Sequence, residues 1–237
     1  MINTKFPIYG SIILLAILTN VIIVLIIYKK YNISRDEIIG ALVYENFGFI
    51  YGAKLLTYIE HYSTIKKFEF FKLGLSSYGA AIGGIICLLI FALQYKIKLK
   101  DICTIFCPSL PLMYAIGKVA CFLVGCCYGV KYNGIGSIVY KYSKVAPNNV
   151  HLFPIQIVET IIFTLIFIYI IRKVLKNKFE WKIIGFSLIL CSISKFLLEF
   201  LRTKETTTFL SFTQKISIIF VLIGLFIYIK SLIRLKK

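Results

Sequence analysis

An all-α, polytopic membrane fold is expected for this chain of 237 residues. It is 59% hydrophobic with a mean hydropathy of +0.87, against roughly half apolar in an ordinary soluble domain. Only 16% of its residues are charged, and they sit in short clusters between long apolar runs. Runs of about 20 apolar residues match the hydrocarbon thickness of a bilayer. A soluble fold would instead need several fully buried helices of that length.

The first apolar run covers 6–28 and is followed by Lys29 and Lys30. A cleaved signal peptide has the reverse order, with its positive charge before a shorter apolar core. The run therefore reads as a retained helix with its N-terminus outside. Six further spans are expected at 37–59, 75–95, 104–125, 152–171, 182–201 and 210–229. Seven spans place the C-terminus in the cytoplasm, and the loops this assigns to the inside carry more Lys and Arg than the outside ones, as the positive-inside rule requires. The longest loop, 126–151, has Gly, Asn and Pro turn signals and a GSIVYKY stretch of strand character. It is expected to form a small extracytoplasmic cap, with a plain connecting loop as the alternative. No linker or 20–50-residue repeat divides the chain, so residues 1–237 read as a single domain.

The formal net charge is +18. In a soluble chain that would suggest nucleic acid. Here the charges flank membrane spans, where anionic lipid heads account for them, and no nucleic-acid partner is expected. Seven cysteines, an odd number lying mostly in apolar runs, argue against a disulfide framework. A zinc site from Cys121, Cys126 and Cys127 would need a fourth ligand and usually a CxxC spacing. These residues read as small packing groups, and neither a metal nor a cofactor is expected. His61 and His151 fall in loops.

Ionisable side chains inside a span are expensive and by default mark a functional site. Three spans supply a lysine: GAKLLTY (52–58) has Lys54, AIGKVAC (115–121) has Lys118, and ISKFLLEFLR (193–202) has Lys195. In the last, Lys195, Glu199 and Arg202 follow i, i+4, i+7 and would share one helix face. Glu159 closes FPIQIVE (153–159). Three lysines and a carboxylate predict a shared polar pocket, and a basic cavity in a membrane suits the phosphate of an anionic lipid. Each lysine could also snorkel to the interface. The glycine-rich YGAAIGG (78–84) allows close helix packing and could also leave room for a head group. Tyr78 at its start could orient that head group or relay a proton, or serve as an interfacial aromatic. No GxSxG, HExxH or GxxxxGK[ST] signature occurs.

In order and spacing these segments resemble the bacterial phosphatidylglycerol–prolipoprotein diacylglyceryl transferase family, over about 37–229. GAKLLTY is similar to the family's Gly-Gly-Arg-x-x-Tyr, with Lys54 for arginine. SSYGAAIGG is similar to His-Gly-Gly-x-x-Gly, with Tyr78 for histidine and Gly79 matching. GKVACFLVGCCYG resembles Gly-Arg-x-Gly-Asn-Phe-x-Asn-x-Glu-x-x-Gly. There Gly117, Phe122 and Gly129 match, Lys118 replaces arginine, and Cys121, Val124 and Cys126 replace the asparagines and the glutamate. FPIQIVE shares Pro154, Gln156 and Glu159 with His-Pro-x-Gln-Leu-Tyr-Glu. KFLLEFLR shares Glu199, Phe200 and Arg202 with Arg-x-x-x-Glu-Phe-Phe-Arg, with Lys195 for arginine. SFTQKIS (211–217) resembles the closing Ser-x-x-Gln-x-x-Ser.

The resemblance implies an enzyme of the bacterial plasma (inner) membrane. It would move a diacylglyceryl group from phosphatidylglycerol to the lipobox cysteine in the signal peptide of a lipoprotein precursor, with release of glycerol phosphate. It implies catalytic roles for Tyr78, Lys195 and Glu199. Substrate-binding roles fall to Lys118, Lys54, Arg202, Gly79, Gly129, Gln156 and Glu159. Lysine for arginine at three sites removes bidentate phosphate geometry, and tyrosine, with an unperturbed pKa of about 10, is a weaker base than histidine at neutral pH. Two other readings stay open on the same fold. One is a membrane transferase with another lipid donor or acceptor, and the other is a non-catalytic lipid- or peptide-binding protein.

Overall fold

A computed structural model describes residues 5–62, 74–176, 181–203 and 209–235. Eight helices follow in order among them: α1 (Lys5–Ile27), α2 (Arg35–Glu60), α3 (Ser77–Gln94), α4 (Leu99–Phe106), α5 (Ser109–Val124), α6 (Ile155–Lys176), α7 (Trp181–Leu198) and α8 (Phe212–Leu235). A two-stranded ribbon, β1 (Ile138–Val139) and β2 (His151–Leu152), lies between α5 and α6. Of the loop lysines behind that inside–outside bias, Lys66, Lys67, Lys72, Lys178, Lys204, Lys236 and Lys237 lie outside the described residues.

Among the described residues, six helical stretches are long and apolar enough to cross a membrane: Ile8–Lys30, Ser77–Gln94, Leu99–Val124, Ile155–Lys176, Trp181–Leu201 and Phe212–Ile233. Their outer faces carry large apolar side chains. On α1, Leu14, Leu18, Ile22 and Ile26 recur every fourth residue and are all exposed, a stripe that suits lipid rather than water. The seventh expected span, 37–59, is helical as α2. With 26 residues it is about 39 Å long, but Glu45 and Lys54 interrupt its apolar character, which keeps it out of the six.

The expected span 104–125 is two helices. It starts five residues earlier than expected, at Leu99, and breaks between Phe106 and Ser109. Pro108 has no N–H for the carbonyl one turn back, and its ring opposes a continuous helix.

The chain falls into two compact units, residues 1–20 with 108–237 and residues 21–107. In the second unit a capping box starts α2: Ser34 Oγ accepts from Glu37 N–H at 3.2 Å, and Glu37 Oε2 accepts from Ser34 N–H at 2.7 Å. Ser76 Oγ likewise accepts from Gly79 N–H as α3 begins. α2 and α3 meet through glycine. A Cβ at Gly83 would sit 2.9 Å from Gly52 Cα and collide with the Gly48 carbonyl, and one at Gly79 would collide with the Gly52 carbonyl. Close packing is thus the visible work of YGAAIGG, and backbone approach of this kind needs small residues.

In the first unit, α7 and α8 approach in the same way at Gly185 and Gly224. α8 opens with a reciprocal cap, Ser211 N–H to Gln214 Oε1 at 2.9 Å and Gln214 N–H to Ser211 Oγ at 3.1 Å. The SFTQKIS segment therefore does structural work as a helix start. In the loop 126–151 the strand character of GSIVYKY is realised. Ile138 pairs with Leu152 and Val139 with His151, in antiparallel register.

Candidate active site

The site is built on three helices of the first unit. On α5, Tyr114, Lys118 and Cys121 follow i, i+4, i+7 and so share one face. α6 lies beside them: Thr160 Oγ1 donates to Ala115 O at 3.3 Å, and the rings of Tyr114 and Phe163 lie 4.2 Å apart. This brings Glu159 to the lysine face of α5. Lys195 reaches the same point from the end of α7.

Glu159 is the hub. Its Oε2 lies 2.7 Å from Lys118 Nζ and its Oε1 lies 3.0 Å from Lys195 Nζ. Tyr114 OH donates to Glu159 Oε1 and accepts from Lys195 Nζ at 2.6 Å. The side chain of Glu159 is 2% exposed, those of Lys118 and Lys195 7% and 6%. Charges this buried persist only when paired and hydrogen-bonded. Farther along, Glu199 Oε2 lies 3.6 Å from Lys195 and 3.8 Å from Arg202 Nη1. Three cations against two carboxylates leave the cluster one unit positive. Arg202 is its most accessible member at 29%.

The expected common face of Lys195, Glu199 and Arg202 is not a single α-helical face. α7 ends at Leu198, Glu199–Leu201 form a 3₁₀ turn, and Arg202 is extended at φ −96° and ψ 145°. The tighter turn and the extended residue leave Glu199 between the two cations. Arg202 is instead held as part of a small sheet. It bridges Gly129 in antiparallel sense, Val130 N–H donates to Leu201 O at 3.1 Å, and Thr203 Oγ1 donates to Gly129 O at 2.9 Å. Gly129 must be glycine here, because a Cβ would collide with the Phe153 carbonyl and lie 3.1 Å from Leu201 O.

The turn after α5 is equally determined. Gly125 takes a left-handed conformation (φ +80°), and the N–H groups of Gly125 and Cys126 both return to Cys121 O, at 2.9 and 3.0 Å. This is a glycine C-cap. The ribbon loop closes the remaining carbonyls: Tyr140 OH donates to Phe122 O and Ser143 Oγ to Val124 O. Burial pushes the Tyr140 hydroxyl up to about 12. Gln156 Nε2 donates to Cys126 O at 2.9 Å. The sulfurs of Cys121, Cys126 and Cys127 then lie within 4.8 Å of one another. Hydrogen bonds from Cys121 and Cys126 hold the Cys127 thiol well below the usual thiol range.

Of the ten residues expected at the site, Lys118, Glu159, Lys195, Glu199 and Arg202 are brought together. Gln156 and Gly129 position their neighbours through the backbone. Lys54, Tyr78 and Gly79 belong to the other unit, on α2 and α3. Lys54 and Tyr78 are half-buried there, and Gly79 packs on Gly52. Tyr114 was missed by the sequence reading, although its place four residues before Lys118 puts it on the lysine face.

A family model described as prolipoprotein diacylglyceryl transferase matches residues 1–230. The chain belongs to that family. Among its relatives is phosphatidylglycerol–prolipoprotein diacylglyceryl transferase 2 of Clostridium perfringens, 29% identical over 93% of this chain and 89% of the relative. The enzyme of the same name, without the number, from Clostridium tetani is 30% identical over 93% of this chain and 91% of its own length. That of Dehalococcoides mccartyi is 36% identical over 55% of this chain and 52% of its own. The six motifs that carried the resemblance thus fall within a match running nearly the whole length of the chain.

Proposed function

We infer that this membrane protein transfers a diacylglyceryl group from phosphatidylglycerol to the thiol of a cysteine in a lipoprotein precursor. The observation that supports it is the buried ion cluster on the family's own segments, carried by a chain of that family. In the reaction the acceptor sulfur forms a bond to the terminal glycerol carbon of the diacylglyceryl group. The carbon–oxygen bond to phosphate breaks, and its electron pair leaves with glycerol phosphate. The thiol proton passes to water, since the thiolate is the nucleophile.

Negative charge accumulates on the departing phosphate, and preorganised cations in a water-poor site stabilise it. Arg202, the most accessible cation, contacts the phosphate through its planar fork. Lys118 and Lys195, fixed by Glu159 and Tyr114, supply the field behind it and keep N–H donors for the same anion. Glu199 holds Arg202 toward Lys195. Gly129 and Gln156 place the Arg202 bridge and the turn at Cys126. On α2 and α3, Lys54 and Gly79 take the lipid-contact roles and Tyr78 the orienting or proton-transfer role that the family motifs imply. The finer setting follows the same inference: the bacterial plasma membrane, the N-terminus outside, the loop 126–151 as an extracytoplasmic cap, and the lipobox of a signal peptide as acceptor.

The test is transfer by purified protein in phosphatidylglycerol-containing micelles to a lipobox peptide, read as the diacylglyceryl mass shift on its cysteine. Arg202→Ala is expected to lower the rate by about 10²–10³-fold, the scale for removing one donor to developing charge, with an unchanged melting temperature. Absence of the mass shift from folded protein, beside an active family member, would overturn the assignment.

A further inference from the structure

Three thiols with no part in the chemistry above converge beside it. Cys121 is buried and Cys126 and Cys127 are half-buried, all three are free, and their sulfurs lie within 4.8 Å of one another. The convergence is enforced. Gly125 reverses the chain, Gln156 holds the Cys126 carbonyl, and Cys127 itself is left-handed at φ +54°. A residue with a Cβ persists in that region only when its surroundings determine it.

Regular zinc–thiolate bonds of about 2.3 Å set sulfurs about 3.8 Å apart, so the cluster needs each pair to close by no more than about 1 Å. Three thiolates and Zn²⁺ leave a single negative charge. Among the described residues no fourth histidine, cysteine or carboxylate joins the group. Structural zinc sites close with four protein ligands, whereas reactive ones have three and an open position. Within this unit Glu159 and Glu199 are committed to cations, so neither is free to take a proton from an incoming thiol.

We propose that Cys121, Cys126 and Cys127 bind one zinc ion through three thiolates, and that its open fourth position takes the sulfur of the acceptor cysteine. The second half rests on the transfer reaction inferred above. On coordination the acceptor thiol releases its proton to water, as a ligating thiol does. The bound thiolate then forms the sulfur–carbon bond while the carbon–oxygen pair leaves with glycerol phosphate. The thioether product, neutral and weakly ligating, dissociates from the metal. No oxidant or reductant enters.

The experiment uses reduced, full-length protein in detergent, stripped with chelator and titrated with Zn²⁺ or Co²⁺. One tightly held zinc per chain is expected by elemental analysis, with thiolate-to-cobalt charge-transfer bands for Co²⁺. Cys126→Ser and the double variant Cys121→Ser/Cys127→Ser are expected to lose both signals while their metal-free melting temperatures match wild type. A lipobox peptide is expected to shift the cobalt d–d bands, and its Cys→Ser counterpart is not. Folded wild type that retains no zinc, or serine variants that retain the same zinc, would overturn the site. A cobalt spectrum indifferent to the cysteine peptide would overturn the acceptor role. None of these readouts needs phosphatidylglycerol, so loss of transfer with all of them intact would count against the proposed function alone.

Discussion

Glu159→Gln is the substitution with the sharpest consequence. Glu159 lies 2.7 Å from Lys118 Nζ and 3.0 Å from Lys195 Nζ, with a side chain 2% exposed. The amide keeps its volume but loses its charge, and it offers one acceptor oxygen to two ammonium groups that are themselves 7% and 6% exposed. One lysine then faces the amide nitrogen, donor against donor. Removing one partner of a buried pair costs about 3–5 kcal/mol, mainly because the remaining charge is uncompensated. At about 2–4 °C per kcal/mol for a chain of this size, the melting temperature should fall by about 6–20 °C. Thermal unfolding of the detergent-solubilised protein, followed by circular dichroism, reads this directly. Pairing the change with Lys118→Met removes the stranded cation and should recover much of the loss, so the two effects should not add. A Glu159→Gln protein melting within about 2 °C of wild type would refute the hub, since a carboxylate that matters this little is not compensating two buried cations.

Other expectations follow from the same geometry. Tyr114→Phe removes a hydroxyl bonded to both Glu159 and Lys195; it should cost about 1.5–3 kcal/mol, the range for hydrogen bonds to charged groups, in the same melt. Gly83→Ala drives a Cβ against the backbone of Gly48 and Gly52. A loss of about 1–3 kcal/mol is expected, and limited proteolysis should show earlier cleavage in the α2–α3 unit. Gln214→Ala breaks one arm of the α8 capping box, so a loss of about 1 kcal/mol should appear in the melt.

Much of this protein could be read from local pattern. Apolar runs of bilayer length determine membrane helices whatever their partners, because in hydrocarbon the backbone must satisfy itself within the segment. Departures occurred where a few residues overrule composition. Pro108 split an apolar run that hydropathy alone treats as continuous. The last turn of α7 tightened and freed Arg202 to pair with Gly129.

At the site the division is similarly physical. Charge inside a span is costly enough that Lys118, Glu159 and Lys195 were conspicuous in sequence, and helical periodicity places Tyr114 and Cys121 on the face of Lys118. Periodicity names a face but not what meets it. Glu159 lies 36 residues from Lys195 and 45 from Tyr114, and only the packing of α5, α6 and α7 makes that carboxylate the shared partner of two lysines. The cysteines show the same limit. Their spacing resembles no common metal motif, and it took the left-handed turn at Gly125 and Cys127, pinned by Gln156 from another helix, to bring three sulfurs within reach of one ion.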